Sequence, residues 1–501
     1  MKLLRCLSEL QEAHGYLTEE ALRELARRER VPLYHLQGLV SFYTHFRTSS
    51  PPHVEVNVCR DAACWLAGGE ECAARLQRDL AALSSTVVRE VSCLGRCDQA
   101  PAAAINGTAI SLRDPAKIRA WVERPESIPL SAPSRPRSWR CDPYRERAER
   151  YGLLRELLED TSSAGSRVLT ALKESGLRGM GGAGFPTGAK WEVVSNENRT
   201  PKYVICNADE SEPGSFKDRV LLAELPHLII EGTIVAGLVV GSQRGILYIR
   251  HEYEPERRAF EEALRDAREQ LLVGSNILGS GFSFDIEVFV SPGGYILGEE
   301  TALLEALEDR RGEPRNKPPY PGTHGLHGQP TLINNVETLA MVPAIVRRGP
   351  RWWQEQGKPG FYGLKWMALS GHVERPGVHE VPMGTTVREL IDMGGGVKGG
   401  RALKAFAPGG ASSNFLPASM VDTPLDFAAL AKAGSMLGSG AVIVVAEGTD
   451  MLALATNVVR FFRNESCGKC VPCRVGSQKA VELLAAVQAG TSERTSLDVL
   501  P

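Results

Sequence analysis

The chain reads as an α/β protein of several domains with helical segments at both ends. From about residue 145, apolar strand-like runs alternate with helical stretches, the pattern of a largely parallel sheet covered by helices. Ahead of it, two strand-like runs, VEVNVC and VVREVSC, each end on a cysteine. The length of 501 residues suffices for several hydrophobic cores.

Composition narrows the function classes. Hydrophobic residues make up 43% and charged residues 24%, ordinary for a globular chain. A formal net charge of −2 gives no electrostatic case for nucleic acid or an anionic membrane as partner. The most apolar long run, Leu228 to Gly241, contains Glu231 and is too short to span a bilayer, so no transmembrane segment is expected. The N-terminal MKLLRCLSELQEAHG turns polar too soon for a signal peptide, which points to a cytoplasmic protein or one peripheral to a membrane complex.

Taken in order, residues 1–48 are expected to be helical. Thr18 is a good N-cap before Glu19 and Glu20, and Leu22, Leu25 and Ala26 recur at helical spacing until Pro32. Leu36, Leu39, Val40 and Tyr43 make a second amphipathic stretch. In residues 49–125 the two strands place Cys59-x4-Cys64 and Cys93-x3-Cys97 on adjacent loops of a small α/β unit. Four thiolates there suit a [2Fe–2S] cluster, a four-thiolate zinc site competes, and four unrelated buried cysteines are the bland alternative. Cys6, Cys72, Cys141 and Cys206 read as small apolar fillers. GYLTEEALRELA, SFYTHF and the two cysteine pairs resemble the thioredoxin-like [2Fe–2S] subunit of respiratory complex I, which favours iron–sulfur.

Residues 126–144 have linker composition. The domain 145–360 follows, with strands at YVIC, GILYIRHEY and FDIEVFVSP and helical stretches around 217–240, 255–271 and 299–309. Its LRGMGGAGFPTGAKW formally matches G-x-G-x-x-G through Gly179, Gly181 and Gly184, but VLTALKESGL before it is helix-like, so the ordinary Rossmann fingerprint fails on context. Gly179, Gly181 and Gly182 still allow close backbone approach to a flat ring or phosphate, and Lys190 can meet a phosphate as a point charge. Asp209, Glu210 and Glu212 follow a predicted strand, as do Glu299 and Glu300 after Gly293, Gly294 and Gly298. A solvated acidic loop is the competing reading. Carboxylates at strand ends accept ribose hydroxyls and would repel a 2′-phosphate, favouring NAD over NADP.

GAGFPTGAKW, CNADESEPGSFKDR, YILGEETALLEALE, PRNKPPYP and TLINNVETLA closely resemble, in order, the NADH- and FMN-binding flavoprotein subunit of complex I. The same subunit type occurs in NAD-reducing hydrogenases and NAD-dependent molybdenum or tungsten formate dehydrogenases. The resemblance implies a Rossmann-like FMN/NADH domain. It places Gly179, Lys190, Asn207, Asp209, Glu210, Tyr295, Gly298, Glu299, Asn334 and Asn335 around FMN. Phe185, Glu212, Glu300, Lys317 and Tyr320 fall on the NADH side, with Glu212 and Glu300 the carboxylates expected at the catalytic step. Met180 stands where complex I usually has arginine, and Leu297 where it often has cysteine.

Residues 361–420, with KWMALSGHVERPGVHEVPMGTTVRELI from Lys365, read as strand, Pro-Gly turn, strand and helix, and resemble the ubiquitin-like (SLBB) domain of that family, with a structural or docking role. Residues 421–501 are expected to be helical and to carry Cys467-x2-Cys470-x2-Cys473, three ligands of a [4Fe–4S] cluster. No cysteine follows, so the reading is a truncated domain or an unusual fourth ligand. Together these imply FMN, NAD(H), [2Fe–2S] and [4Fe–4S] as cofactors of a diaphorase subunit. Its partners would be a molybdopterin- or hydrogenase-type catalytic subunit and a further small iron–sulfur subunit. Layout favours the β subunit of a formate dehydrogenase; a hydrogenase diaphorase or a fused complex I subunit are the alternatives. A scaffold that lost its flavin, and a zinc-bearing nucleotide-binding regulator, are the competing classes.

Overall fold

The computed structural model describes residues 2–81, 85–129 and 137–500. Its first sheet contains β1 (Val54–Cys59), β2 (Thr86–Val91), β3 (Ala102–Ile105) and β4 (Thr108–Ser111) in the order β2-β1-β3-β4. Strands β1 and β2 are parallel, with the helix Gly69–Leu80 between them in sequence. Parallel pairing brings their C-terminal ends to one edge, so the two cysteine loops become neighbours.

The second sheet is β5 (Tyr203–Ala208), β6 (Arg244–Arg250), β7 (Asp285–Ser291) and β8 (Thr331–Asn335), all parallel, in the order β7-β6-β5-β8. Alternate residues of β5 enter different cores, as a pleated strand requires. Val204 and Cys206 pack with the helices Thr161–Ser175, Pro226–Val240 and Val336–Arg348. Tyr203 and Ile205 pack with Ala302 to Leu307 and with Leu3, Leu7, Leu22, Leu36 and Tyr43 of the N-terminal helices. The first forty or so residues therefore form the second cover of this sheet.

The stretch 217–240, expected as one amphipathic helical region, is two helices, Lys217–Glu224 and Pro226–Val240, bent by 95°. The second is buried on almost every side, because its run of aliphatic residues lies between the sheet and Val336–Arg348. A Cβ on Gly232 would sit 2.1 Å from the Leu339 carbonyl oxygen, so only glycine permits this approach. Among the described residues no single helix is long and apolar enough to cross a membrane.

The third sheet is β9 (Leu364–Gly371), β10 (Gly377–Pro382), β11 (Leu403–Ala407), β12 (Leu416–Pro417) and β13 (Ala441–Ala446), in the order β10-β9-β13-β11-β12. The wholly helical reading of 421–501 needs correction here. AVIVVA is a buried β-branched run, and β13 sits in the middle of the sheet, parallel to β9. The helices Met451–Asn464 and Val471–Gln488 follow. Of the expected linker, 130–136 lies outside the described residues, while Trp139, Cys141 and Tyr144 are buried.

Candidate functional site

Strand order reverses between β5 and β8, the place where open α/β sheets bind ligands beyond their C-terminal ends. Asn207 is in register with Asn335 there, and Cys206 with Asn334. Three loops converge on this point. The first is the glycine loop. It leaves the helix Thr161–Ser175 through the left-handed cap Gly176, so no strand precedes it, as the sequence indicated. Gly179 N–H donates to Phe185 O at 2.8 Å, and the helix Thr187–Ser195 then carries Lys190 and Trp191. A Cβ on Gly181 would lie 2.9 Å from Asn335 Cβ, so the loop rests directly on the end of β8. Trp191 Nε1 donates to Asn334 Oδ1 at 2.8 Å, and Asn207 Nδ2 to Gly298 O at 2.9 Å.

Four charged side chains form one chain of ion pairs at this mouth. Lys190 Nζ lies 3.0 Å from Glu300, and Lys317 Nζ lies 3.1 Å from Glu300 and 2.8 Å from Glu299. Glu299 also accepts from Thr301 N and Ala302 N, capping the helix Glu300–Leu307. Burial alone would raise both carboxyls, but Lys317 beside Glu299, and Lys190 with Lys317 beside Glu300, hold them below the usual range. Phe185 and Tyr320 are large, 55% and 60% exposed, and so have free ring faces.

The acidic loop separates its carboxylates. Asp209 is buried and its carboxyl is raised by burial, with Arg250 opposing. Ser211 donates to one oxygen at 2.6 Å, while the buried Oδ2 has no hydrogen bond of normal geometry. An orphaned acceptor at the switch point fits a ligand that brings a hydroxyl or ring N–H. Glu210 is different: Ser215 Oγ, Asp218 N, Arg219 N and the Tyr253 hydroxyl all donate to it. These four bonds fill a carboxylate's acceptor capacity, so the Glu210 side chain organises this loop. Glu212 does not join the Lys190–Glu300 group. It accepts from Tyr295 Oη at 2.8 Å and from Ser412 N at 2.6 Å, and its carboxyl is raised by burial.

Several residues given no role from sequence brace these loops. Lys217, fully buried, pairs with Asp218 at 2.6 Å and Glu337 at 2.9 Å, and Asn335 Nδ2 donates to Asp218 at 2.6 Å. Glu337 also holds Lys365 and accepts from Trp366 N at 3.0 Å, tying the switch point to β9. The third sheet's domain supports the glycine loop as well, with Arg178 over the Phe427 ring at 4.8 Å. A charge inside an otherwise apolar run, as at Glu337 in NNVETLAMV, was the available signal.

Cys59, Cys64, Cys93 and Cys97 are all buried and come together. Cys93 and Cys97 sulfurs are 3.7 Å apart, and Cys59 lies against both Cys64 and Cys93. Hydrogen bonds from the Cys59 and Cys97 thiols, with Arg250 nearby, hold the Cys93 thiol well below its usual range; Cys59 and Cys97 are pushed up. Among the described residues no three His, Cys, Asp or Glu side chains close on a single ion. Pairwise contact of four thiols suits a two-iron cluster, with two thiolates to each iron. This loop is locked onto the acidic loop. Arg96 pairs with Glu256 through two bonds of 2.7 and 3.0 Å, Arg219 with Asp98 at 2.7 Å, and Arg250 Nη2 donates to Cys93 O at 2.6 Å.

Cys467, Cys470 and Cys473 lie on the turn and first helical turn before and within Val471–Gln488, with the last two exposed. Cys141 and Cys206 belong to the main core, while Cys6 and Cys72 pack against two others. A cavity of about 1120 Å³ lies elsewhere, between the N-terminal helices and β7. None of the residues expected at the site lines it.

The chain is similar to known proteins along much of its length. Family models match as follows: Thioredoxin-like [2Fe-2S] ferredoxin at 1–125, Nuo51 FMN-binding domain at 172–344, SLBB domain at 367–413, and NADH-ubiquinone oxidoreductase-F iron-sulfur binding region at 453–501. The F 2 subunit of the NADH-quinone oxidoreductase from Rhizobium meliloti (strain 1021) is 46% identical over 351 residues, 70% of this chain and 83% of that protein. The F subunit of the Escherichia coli (strain K12) NADH-quinone oxidoreductase is 41% identical over 390 residues, 76% and 85% of the two chains. Among solved structures, a chain of an air-oxidized NAD+-reducing [NiFe]-hydrogenase superposes with a TM-score of 0.82 at 33% identity, covering 99% of this chain and 88% of that one.

Proposed function

The chain belongs to the family of NADH-quinone oxidoreductase F subunits, and from that premise we propose how its residues serve an NADH-oxidising flavin and iron–sulfur component of a larger complex. The observation that carries the proposal is the convergence of the glycine loop, Asp209 and the Lys190–Glu300–Lys317–Glu299 chain on the β5/β8 switch point. Gly179, Gly181, Gly182, Lys190, Asn207, Asp209, Tyr295, Gly298, Glu299, Asn334 and Asn335 hold FMN. Phe185, Glu300, Lys317 and Tyr320 receive the dinucleotide. When bound, FMN supplies the conversion of a two-electron hydride into single electrons.

The chain's own residues do the rest. Lys190 and Lys317 keep Glu299 and Glu300 ionised, so two carboxylates face ribose hydroxyls and disfavour a 2′-phosphate. Asp209 supplies a buried acceptor without a partner of its own. Glu212 is bonded to Tyr295, so its catalytic contribution is through placement of Tyr295. Cys59, Cys64, Cys93 and Cys97 hold a [2Fe–2S] cluster, and Cys467, Cys470 and Cys473 three corners of a [4Fe–4S] cluster. NADH:dye reductase activity after FMN reconstitution tests the reading, and absence of flavin binding overturns it.

The holoenzyme's second substrate belongs to another subunit, since no group among the described residues is built for molybdenum, nickel or formate. Domain layout, a [2Fe–2S] domain fused ahead of the flavin domain, supports the β subunit of a formate dehydrogenase. A second reading, the diaphorase subunit of a hydrogenase, is favoured by the whole-chain likeness to the NAD+-reducing [NiFe]-hydrogenase chain. Purification of the native complex discriminates them: molybdenum or tungsten supports the first reading, nickel the second.

A further inference from the structure

Three segments meet at one carboxylate outside the dinucleotide mouth. Glu465 lies two residues before Cys467, at the end of the helix Met451–Asn464. One of its oxygens accepts from the hydroxyl of Ser92, the residue before Cys93, and the other accepts from Tyr295 N at 2.9 Å. The Tyr295 side chain is held as well. Its hydroxyl donates to Glu212, and its ring meets Phe461 and Phe462 edge-on at 5.1 and 5.9 Å. The loop before the C-terminal cysteines, the loop of the four buried cysteines and the turn Tyr295–Gly298 are thus fixed to one another by a single side chain. Helix packing alone would not set this geometry, because Phe461 and Phe462 can slide over a ring whereas two hydrogen bonds to one carboxylate cannot.

We propose that Glu465 is a positioning residue that registers both cysteine loops against the flavin-side turn at Tyr295, and so sets the rate at which electrons leave the flavin far more than the rate at which they arrive. This rests on the diaphorase reading above. Glu465 touches neither the Lys190–Glu300–Lys317 group nor the glycine loop among its hydrogen bonds. Without Glu465 the Tyr295 side chain keeps its bond to Glu212 and its contacts with Phe461 and Phe462, so hydride arrival from NADH is expected to change far less than electron departure. Loss of two hydrogen bonds to a charged acceptor shifts the population of the docked loop by about tenfold or more.

The test uses the native complex with Glu465→Ala, Glu465→Gln and the milder Ser92→Ala. Stopped-flow flavin bleaching by NADH should stay within about twofold of the parent, while flavin reoxidation into the clusters slows about tenfold in Glu465→Ala. Glu465→Gln, which keeps one acceptor oxygen, should recover part of the rate. Hydrogen exchange of the apo chain should lose protection at residues 90–97 and 293–298 in Glu465→Ala, and only at 90–97 in Ser92→Ala. An unchanged reoxidation rate, equal slowing of both phases, or unchanged exchange overturns the proposal. A parent complex whose flavin does not bleach with NADH would instead overturn the diaphorase reading, which keeps the two failures distinct.

Discussion

Replacing Glu337 by glutamine should cost more stability than any surface change in this chain, and the structure gives the reason. Lys217 and Lys365 are balanced by Asp218 and Glu337, and all four side chains are at most 4% exposed. Glutamine keeps an acceptor for Trp366 N but turns an N–H group toward two ammonium groups and leaves one buried positive charge uncompensated. Breaking such a pair costs about 3–5 kcal/mol. Burial already lowers the Lys365 ammonium to about 8, with Glu337 opposing. Without Glu337 it can shed its proton, which limits the penalty at pH 7 to about 5 kcal/mol. Calorimetry at one scan rate should show the unfolding midpoint of the domain that holds Glu337 falling by roughly 6–20 °C. The gap to the parent should narrow between pH 7 and pH 8. There the folded variant has already lost a proton that the parent sheds only around pH 8, so the variant gains more stability than the parent as pH rises. Glu337→Gln combined with Lys365→Met removes both charges and should recover much of the loss. A fall under about 2 °C, or a double variant no better than the single one, would refute the account.

Other outcomes follow from the same geometry. Glu300→Gln unlinks Lys190 from Lys317 and should raise the NADH KM about tenfold with flavin content unchanged, read by dye-reductase kinetics. Burial pushes the Glu231 carboxyl up to about 7, while the Tyr144 hydroxyl and Leu154 N donate to it. The folded chain therefore keeps a proton that the unfolded chain loses near pH 4.5, so stability falls as pH rises through that window, by about 3 kcal/mol in all. Glu231→Gln should abolish this component, its midpoint gaining on the parent's from pH 5 to 8; parallel curves would count against it. Cys97→Ser should remove the [2Fe–2S] signal in electron paramagnetic resonance while the [4Fe–4S] signal persists, because Arg96–Glu256 still anchors the loop. Zinc without labile sulfide in the parent would overturn the cluster assignment.

How far the sequence could be read depended on whether a residue's role is local. Strands β5, β6 and β7 were legible because buried parallel strands are short aliphatic runs between turns. Failure of the Rossmann context was legible too, since helical spacing before Gly176 is a local pattern. Strand β13 was missed because AVIVVA lies far along the chain from the β9–β10 hairpin it joins, and its strand character is decided by that distant pairing. Glu210 and Asp209 are one residue apart with similar flanks. Their separation into a saturated carboxylate and one with an unfilled oxygen comes from Ser215, Asp218, Arg219 and Tyr253, which only the fold brings together.

The same contrast explains why the ubiquitin-like domain cannot be treated as an appendage. Both loops that shape the flavin mouth lean on it: Gly184 lies under Phe427, where a Cβ would come within 2.8 Å of the ring, and Pro213 O accepts from Ala411 N at 3.1 Å. Between them, Glu337 joins β9 to Lys217 and so to Asn335. An apolar interface would hold the domain equally well but would tolerate sliding, since burial is non-directional. Paired ions and backbone hydrogen bonds do not tolerate it, because a displaced partner leaves a buried charge unsatisfied. A flavin exchanging electrons with groups on two further domains needs fixed spacing more than it needs affinity between domains. The placement of Arg96–Glu256, Arg219–Asp98 and Lys365–Glu337 around the one switch point meets that need.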